Sequence, residues 1–266
     1  MVLLGNGVED ALRTGDWDWA LAELDAELAA DHEVTDRVIL LQTAVYVRAA
    51  RGEAVDDLLE ELANLVGTSE EPPVRMTLEL ARGIAAFADG RDADGRQAWH
   101  RVAELGSEHQ SDALSRAARA ALWMGDASGA VADLAALDAS GLHGPAIEAD
   151  RAVLRAGLAA LDGRMAEALA GYRDALRRWR ELGLPWDEAL AGIDMAMLLD
   201  PADPDVAAAI TSSRAILERL GARPFLARLE RVLDDRDRPG SVRPGRAGIG
   251  GSADGSEAPA KGASPA

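Results

Sequence analysis

Apolar positions over the first 235 residues recur with a helical period, not with the two-residue alternation of a strand. In "GDWDWALAELDAEL", Gly15 to Leu28, a glycine and an acid precede a stripe at offsets of four and three, Ala20, Leu24 and then Glu27. The same offsets past Gly90 select Gly95, Trp99 and Val102, past Gly125 Ala130, Leu134 and Leu137, and past Gly163 Ala168, Tyr172 and Ala175. Such spacing puts the three positions on one helix face. Past Gly52 the pattern fits only when shifted by one, to Leu58, Leu62 and Leu65, which predicts a looser turn at "GEAVDD". Ala/Leu/Val stripes over 35–51, 72–89, 108–124 and 143–162 predict the preceding helix of each pair.

The glycines lie 37, 38, 35 and 38 residues apart, a period that marks stacked helical repeats. Each is expected to end a helix at positive φ, where only glycine is free of a steric penalty. Asp16 and Asp126 follow two of them and suit a helix N-terminus. Pro72-Pro73 and Pro204, the latter with Asp203 as N-cap, open further helices. About thirteen helices and no strand are expected.

Glycine, a small residue five on, a large apolar residue nine on and a small or apolar residue twelve on resembles the second half of the tetratricopeptide repeat. "GRMAEALAGYRDAL" (Gly163 to Leu176) and "GDWDWALAELDAEL" are the fullest copies. The resemblance implies an all-α fold over residues 1–235, a right-handed superhelix of about six helical hairpins. It also implies a concave groove lined by the first helices, suited to a peptide or a neighbouring domain. The closing stretch "ERLGARPFLARLE" is similar to the far C-terminus of large bacterial regulators built on AAA or signal-transduction ATPases, some with a class III nucleotidyl cyclase domain and some of LuxR type. That implies bacterial signalling, either as a free-standing interaction scaffold or as a fragment of an ATP-dependent regulator or adenylate/guanylate cyclase. Met1 falls at the start of a repeat, so the apolar "VLL" of Val2–Leu4 is expected to lie against a missing neighbour.

Composition narrows this picture. Hydrophobic residues make up 48% and aromatics 4%, so the core is built from Ala, Leu and Val, as closely packed helices require. No cysteine is present, which excludes disulfides and thiolate metal sites. The net charge is −18, an acidic balance that repels phosphate backbones and argues against nucleic acid as a partner. No apolar run reaches the length of a membrane span, and a cytoplasmic location is expected. Residues 236–266 are rich in Gly, Ala, Pro and Ser and are expected to be disordered. The "GIGG" at 248–251 matches a phosphate loop in composition only.

Candidate chemistry is sparse. His32, His100, His109 and His143 fall in different units without metal-ligand spacing. Acid pairs such as Asp56-Asp57 and Glu60-Glu61 in "DDLLEEL" alternate with apolar residues as a solvated helix face does. No catalytic residue, cofactor or metal is therefore expected. Trp99 occupies a large packing position and Trp17 stands where this repeat family often keeps a packing aromatic. Trp19 and Trp186 fit either packing or an anchor on a binding surface. Arg177, Arg178 and Arg180 flank Trp179 as the one dense basic stretch of the body. They complement a helix C-terminus or, alternatively, contact an acidic partner.

Overall fold

The computed structural model describes residues 2–237 except 31, 68, 70 and 106–108; the side chains of residues 2–6 and 9 also lie outside that description. The described residues form thirteen helices and no strand. They run as pairs: α1 (Val2–Thr14) with α2 (Trp17–Leu28), α3 (Val34–Arg51) with α4 (Asp56–Val66), and α5 (Pro72–Ala88) with α6 (Asp92–Leu105). Then follow α7 (Gln110–Trp123) with α8 (Ala127–Ala139), α9 (Pro145–Leu161) with α10 (Met165–Leu182), α11 (Pro185–Leu198) with α12 (Pro204–Leu220), and a single α13 (Arg223–Asp237). No described helix is long and apolar enough to cross a membrane.

The five turn glycines carry the expected conformation, with φ between 71° and 91°. After each, the next residue's N–H reaches back to the carbonyl five positions earlier, as from Asp16 to Ala11 (2.8 Å), Glu53 to Arg48 (2.9 Å) and Arg164 to Ala159 (2.8 Å). This bond satisfies a carbonyl that the helix end leaves orphaned. Four of the second helices begin two residues past the glycine, whereas α4 begins four past Gly52. That longer turn is the physical source of the shifted pattern. The α11–α12 turn has no glycine; there Asp203 caps α12 by accepting from the Asp205 N–H, and Pro204 opens the helix. Asp126 likewise caps α8, accepting from Gly129 N–H at 2.9 Å.

Within pairs, large residues of one helix meet small ones of the other. The side chain of Trp99 lies so close to Gly83 that a Cβ there would stand 2.3 Å from its indole nitrogen. At Gly157 a Cβ would stand 2.5 Å from Leu122 and 3.0 Å from the Tyr172 hydroxyl. First helices also pack on first helices, α3 on α5, α7 on α9 and α9 on α11.

The row of pairs does not end open. Phe225, Leu226, Leu229 and Leu233 would, from sequence, cover the last pair, yet α13 packs on α3 as well as on α11 and α12. Phe225 meets Phe87 of α5 and Trp186 of α11, at ring separations of 5.7 and 4.8 Å. Arg51 at the end of α3 donates to the Leu220 carbonyl (3.0 Å), and Arg223 donates to the Arg51 carbonyl (2.9 Å). Arg228 is held at both oxygens of Asp92 (2.9 and 3.0 Å) and lies 4.3 Å over the Trp123 ring. α1 in turn rests on α11. The last elements therefore return to the first, and α13 seals a seam instead of merely capping an end.

Both phenylalanines and four of the six tryptophans make that seam one continuous aromatic cluster. Trp17 meets Trp186, Trp186 meets Phe225, Phe225 meets Phe87, and Phe87 stacks on Trp123 at 4.4 Å and meets Trp99 edge-on. In a chain so poor in aromatics, six of the ten gather here. α13 runs through Asp237, and Arg236 donates to the carbonyls of Met197 and Leu199. The rest of the tail and the Val2–Leu4 side chains lie outside the described residues.

Candidate functional site

Closure of the row turns its inner face into a cavity of about 420 Å³. Its walls come from every first helix: Leu12 and Arg13 of α1, Gln42, Thr43 and Tyr46 of α3, Leu80 of α5, Asp112 and Arg116 of α7, Ile147 and Asp150 of α9, Trp186 and Asp187 of α11. His109, the N-cap residue of α7, adds an imidazole. A smaller recess of about 30 Å³ opens beneath, lined by Trp99, Ser115, Arg119 and again Asp112, Asp150 and Asp187. Every first helix except α5, which brings only apolar side chains, thus turns polar positions inward.

The polar lining is a charge network. Arg116 of α7 binds Asp112 one turn earlier at 2.9 Å and lies 5.0 Å over the Tyr46 ring. One turn on, Arg119 donates to Asp194 at 3.2 Å, and Asp194 also accepts from the Trp123 indole at 2.5 Å. Asp194 is fully buried, and its two donors supply what an interior carboxylate requires. Asp150 and Asp187 make no ion pair among the described residues. They are partly open to the cavity but recessed deep in the molecule. Burial pushes Asp150 up to about 7; Arg119 opposes the shift, and the nearby Asp187 and Asp112 add to it. Asp187 is raised for the same reasons, burial first, with Arg119, Arg116 and Arg13 pulling it down. Burial also raises the Tyr46 phenol, against the pull of Arg116.

The residues that the sequence nominated for a binding surface lie elsewhere or inside. Trp186 is interior, 6% exposed, where it separates the cavity from the aromatic seam. Trp19 is 42% exposed on α2, its ring 3.6 Å from where a Cβ of Gly7 would stand. Arg177 pairs with Asp174 and Glu181, Arg178 with Asp174, and Arg180 with Glu188 of α11. These three α10 side chains are thus matched within the molecule. Of the histidines, His100 bonds Asp133 at 2.8 Å across α6 and α8, and His32 bonds the Glu27 carbonyl at 2.8 Å. Among the described residues no group of His, Asp and Glu is arranged to hold a metal ion.

Sequence reasoning passed over Asp112, Asp150 and Asp187. Each stands on a different first helix, and only the closure of the row brings the three together. The available signal was that each first helix carries polar residues opposite its packing stripe. Comparison with protein-family models, curated proteins and solved structures finds no match for this chain.

Proposed function

We propose that this chain is a non-catalytic regulatory module, a tetratricopeptide-like right-handed superhelix whose first helices close around and bind one small polar molecule. One observation carries the reading: six first helices line a single cavity of about 420 Å³, and five of them bring polar side chains to it. That volume suits a small ligand, and partly apolar walls with a few convergent polar groups are the usual makeup of such sites. The contacts of α1 with α11 and of α13 with α3 favour a small occupant over an extended peptide. Protein partners or neighbouring domains, which the repeat resemblance implies, then read the outer surface, with Trp19 as its exposed aromatic. The bacterial signalling context rests on the same resemblance.

Because the cavity spans α1 through α11, a ligand there bridges both sides of the seam and favours the closed form. A molecule that binds only the folded chain stabilises it by about 2.7 kcal/mol at a hundred times its dissociation constant. Thermal-shift screening of the full chain against small polar metabolites is expected to give a hit whose effect is lost on replacing Tyr46 or Asp187 at the cavity wall. A hit insensitive to both replacements, or no hit from any chemical class, would remove the basis of the reading.

A further inference from the structure

The cavity's charged groups are unevenly paired, and that unevenness points to a ligand class. Arg116 is committed to Asp112 (2.9 Å) and Arg119 to Asp194 (3.2 Å). Arg13, the remaining guanidinium of the lining, is exposed at the rim. Asp150 and Asp187 face the same space from α9 and α11, both unpaired among the described residues. A second, separate observation lies in the recess beneath them. Arg119, 4% exposed, has its Nη2 without a hydrogen-bond partner. Ser115 Oγ, one turn earlier and 4% exposed, lies against Asp150 as a hydrogen-bond donor, so Arg119 Nη2 is the group left unmet. Buried polar groups of this kind are few in folded proteins, and leaving one unmet costs about 1–3 kcal/mol.

We propose that the cavity recognises a small organic ammonium ion, seated between Asp150 and Asp187, with a hydrogen-bond acceptor of the same molecule turned to Arg119. This rests on the small-molecule reading above and gives it a chemistry. The recess, at about 30 Å³, has room for one hydroxyl- or carbonyl-sized group. Tyr46 and Trp186 supply aromatic walls, which favour an organic cation over a bare metal ion. A hard divalent cation also asks for six or more oxygen ligands, more than two carboxylates provide.

Binding is coupled to a proton. Asp150 holds one near neutral pH and faces Asp112, Ser115, Arg116 and Arg119 of α7 and Asp187 of α11, with Tyr46, His109 and Arg13 across the cavity. An ammonium group entering beside it releases that proton, so affinity rises from pH 6 to pH 8.

Isothermal titration of the full chain tests this with three matched sets: ethanolamine, putrescine and glucosamine; ethylene glycol, butanediol and glucose; glycolate, succinate and gluconate. At least one amine is expected to bind one to one and at least tenfold tighter than its neutral counterpart. Asp150→Asn and Asp187→Asn should each weaken it tenfold or more, whereas Asp57→Asn on the exposed face of α4 should not. Circular dichroism of each variant separates lost binding from lost folding. Titration in buffers of different ionisation enthalpy should show proton release that Asp150→Asn abolishes and a His109→Gln variant retains. Neutral molecules or carboxylates binding as tightly as the amines, or amine binding without proton release, would overturn the ammonium assignment and leave a small-molecule site standing. Absence of binding by all three sets at millimolar concentration would overturn both.

Discussion

Asp150 sits in "EADRAVL", a stretch that reads as an ordinary amphipathic helix, and its neighbour Arg151 has the opposite fate. Arg151 turns the other way, 5% exposed, and ties the end of α8 by donating to the Leu137 and Leu142 carbonyls. Asp150 turns to the cavity, where burial raises it to about 7. In the unfolded chain an aspartate titrates near pH 3.9. Between about pH 4 and 7 the unfolded chain gives up a proton that the native chain keeps, so stability falls as pH rises through that window and levels above it. Asp150→Asn, which mimics the neutral carboxyl, escapes this loss. Its melting temperature is expected to exceed the native chain's at pH 8, by about 2–4 °C for each kcal/mol relieved, and to converge with it toward pH 4. A variant less stable at pH 8 would contradict the assigned environment. A residue kept at a cost to stability is what a binding site predicts.

At the scale of the helix pair, two kinds of glycine do different work. Gly125 is needed for its left-handed backbone, φ 72°, with open space around its Cβ position. Gly83 is mid-helix and needed because the Trp99 ring occupies the place of a side chain. Gly125→Ala should therefore cost about 1–2 kcal/mol, the strain of a left-handed residue. Gly83→Ala should cost more, since the ring must shift within a filled core and overpacking adds about 1–3 kcal/mol beyond any helix-propensity gain. Denaturant melts of the two variants would check the order; equal effects would mean that Trp99 moves freely. The turn glycines were legible because their period is regular and their reason is local. Gly83 was not, since its reason is a tryptophan sixteen residues away on another helix.

For the whole molecule the seam decides the behaviour. Repeat stacks are usually sums of units and nearest-neighbour interfaces. Here Phe225 and Arg228 of α13 join α5, α6 and α7 directly to the C-terminal end. Phe225→Ala should cost about 3–5 kcal/mol, the usual loss for a buried phenylalanine. It should also broaden unfolding, since the two halves lose one of their direct links. Red-shifted tryptophan emission from the loosened cluster would accompany it. A sharp, unshifted transition would show that the seam contributes little.

Hydrophobic period, turn glycines, proline starts and the Asp203 cap settle the helices, their number and their pairing, because each depends on neighbours within a few residues. They also settle which face of each second helix is buried, down to Trp99 and Tyr172. Sequence left Trp186 and Trp19 equivalent, one in the seam and the other exposed, because that choice depends on whether α11 meets α2 and α13. It expected an open concave face, and it passed over Asp112, Asp150 and Asp187. Those outcomes depend on contacts between helices far apart in the chain, α1 on α11 and α13 on α3. No local pattern encodes such contacts, so the cavity and its gathered carboxylates exist only in the folded whole.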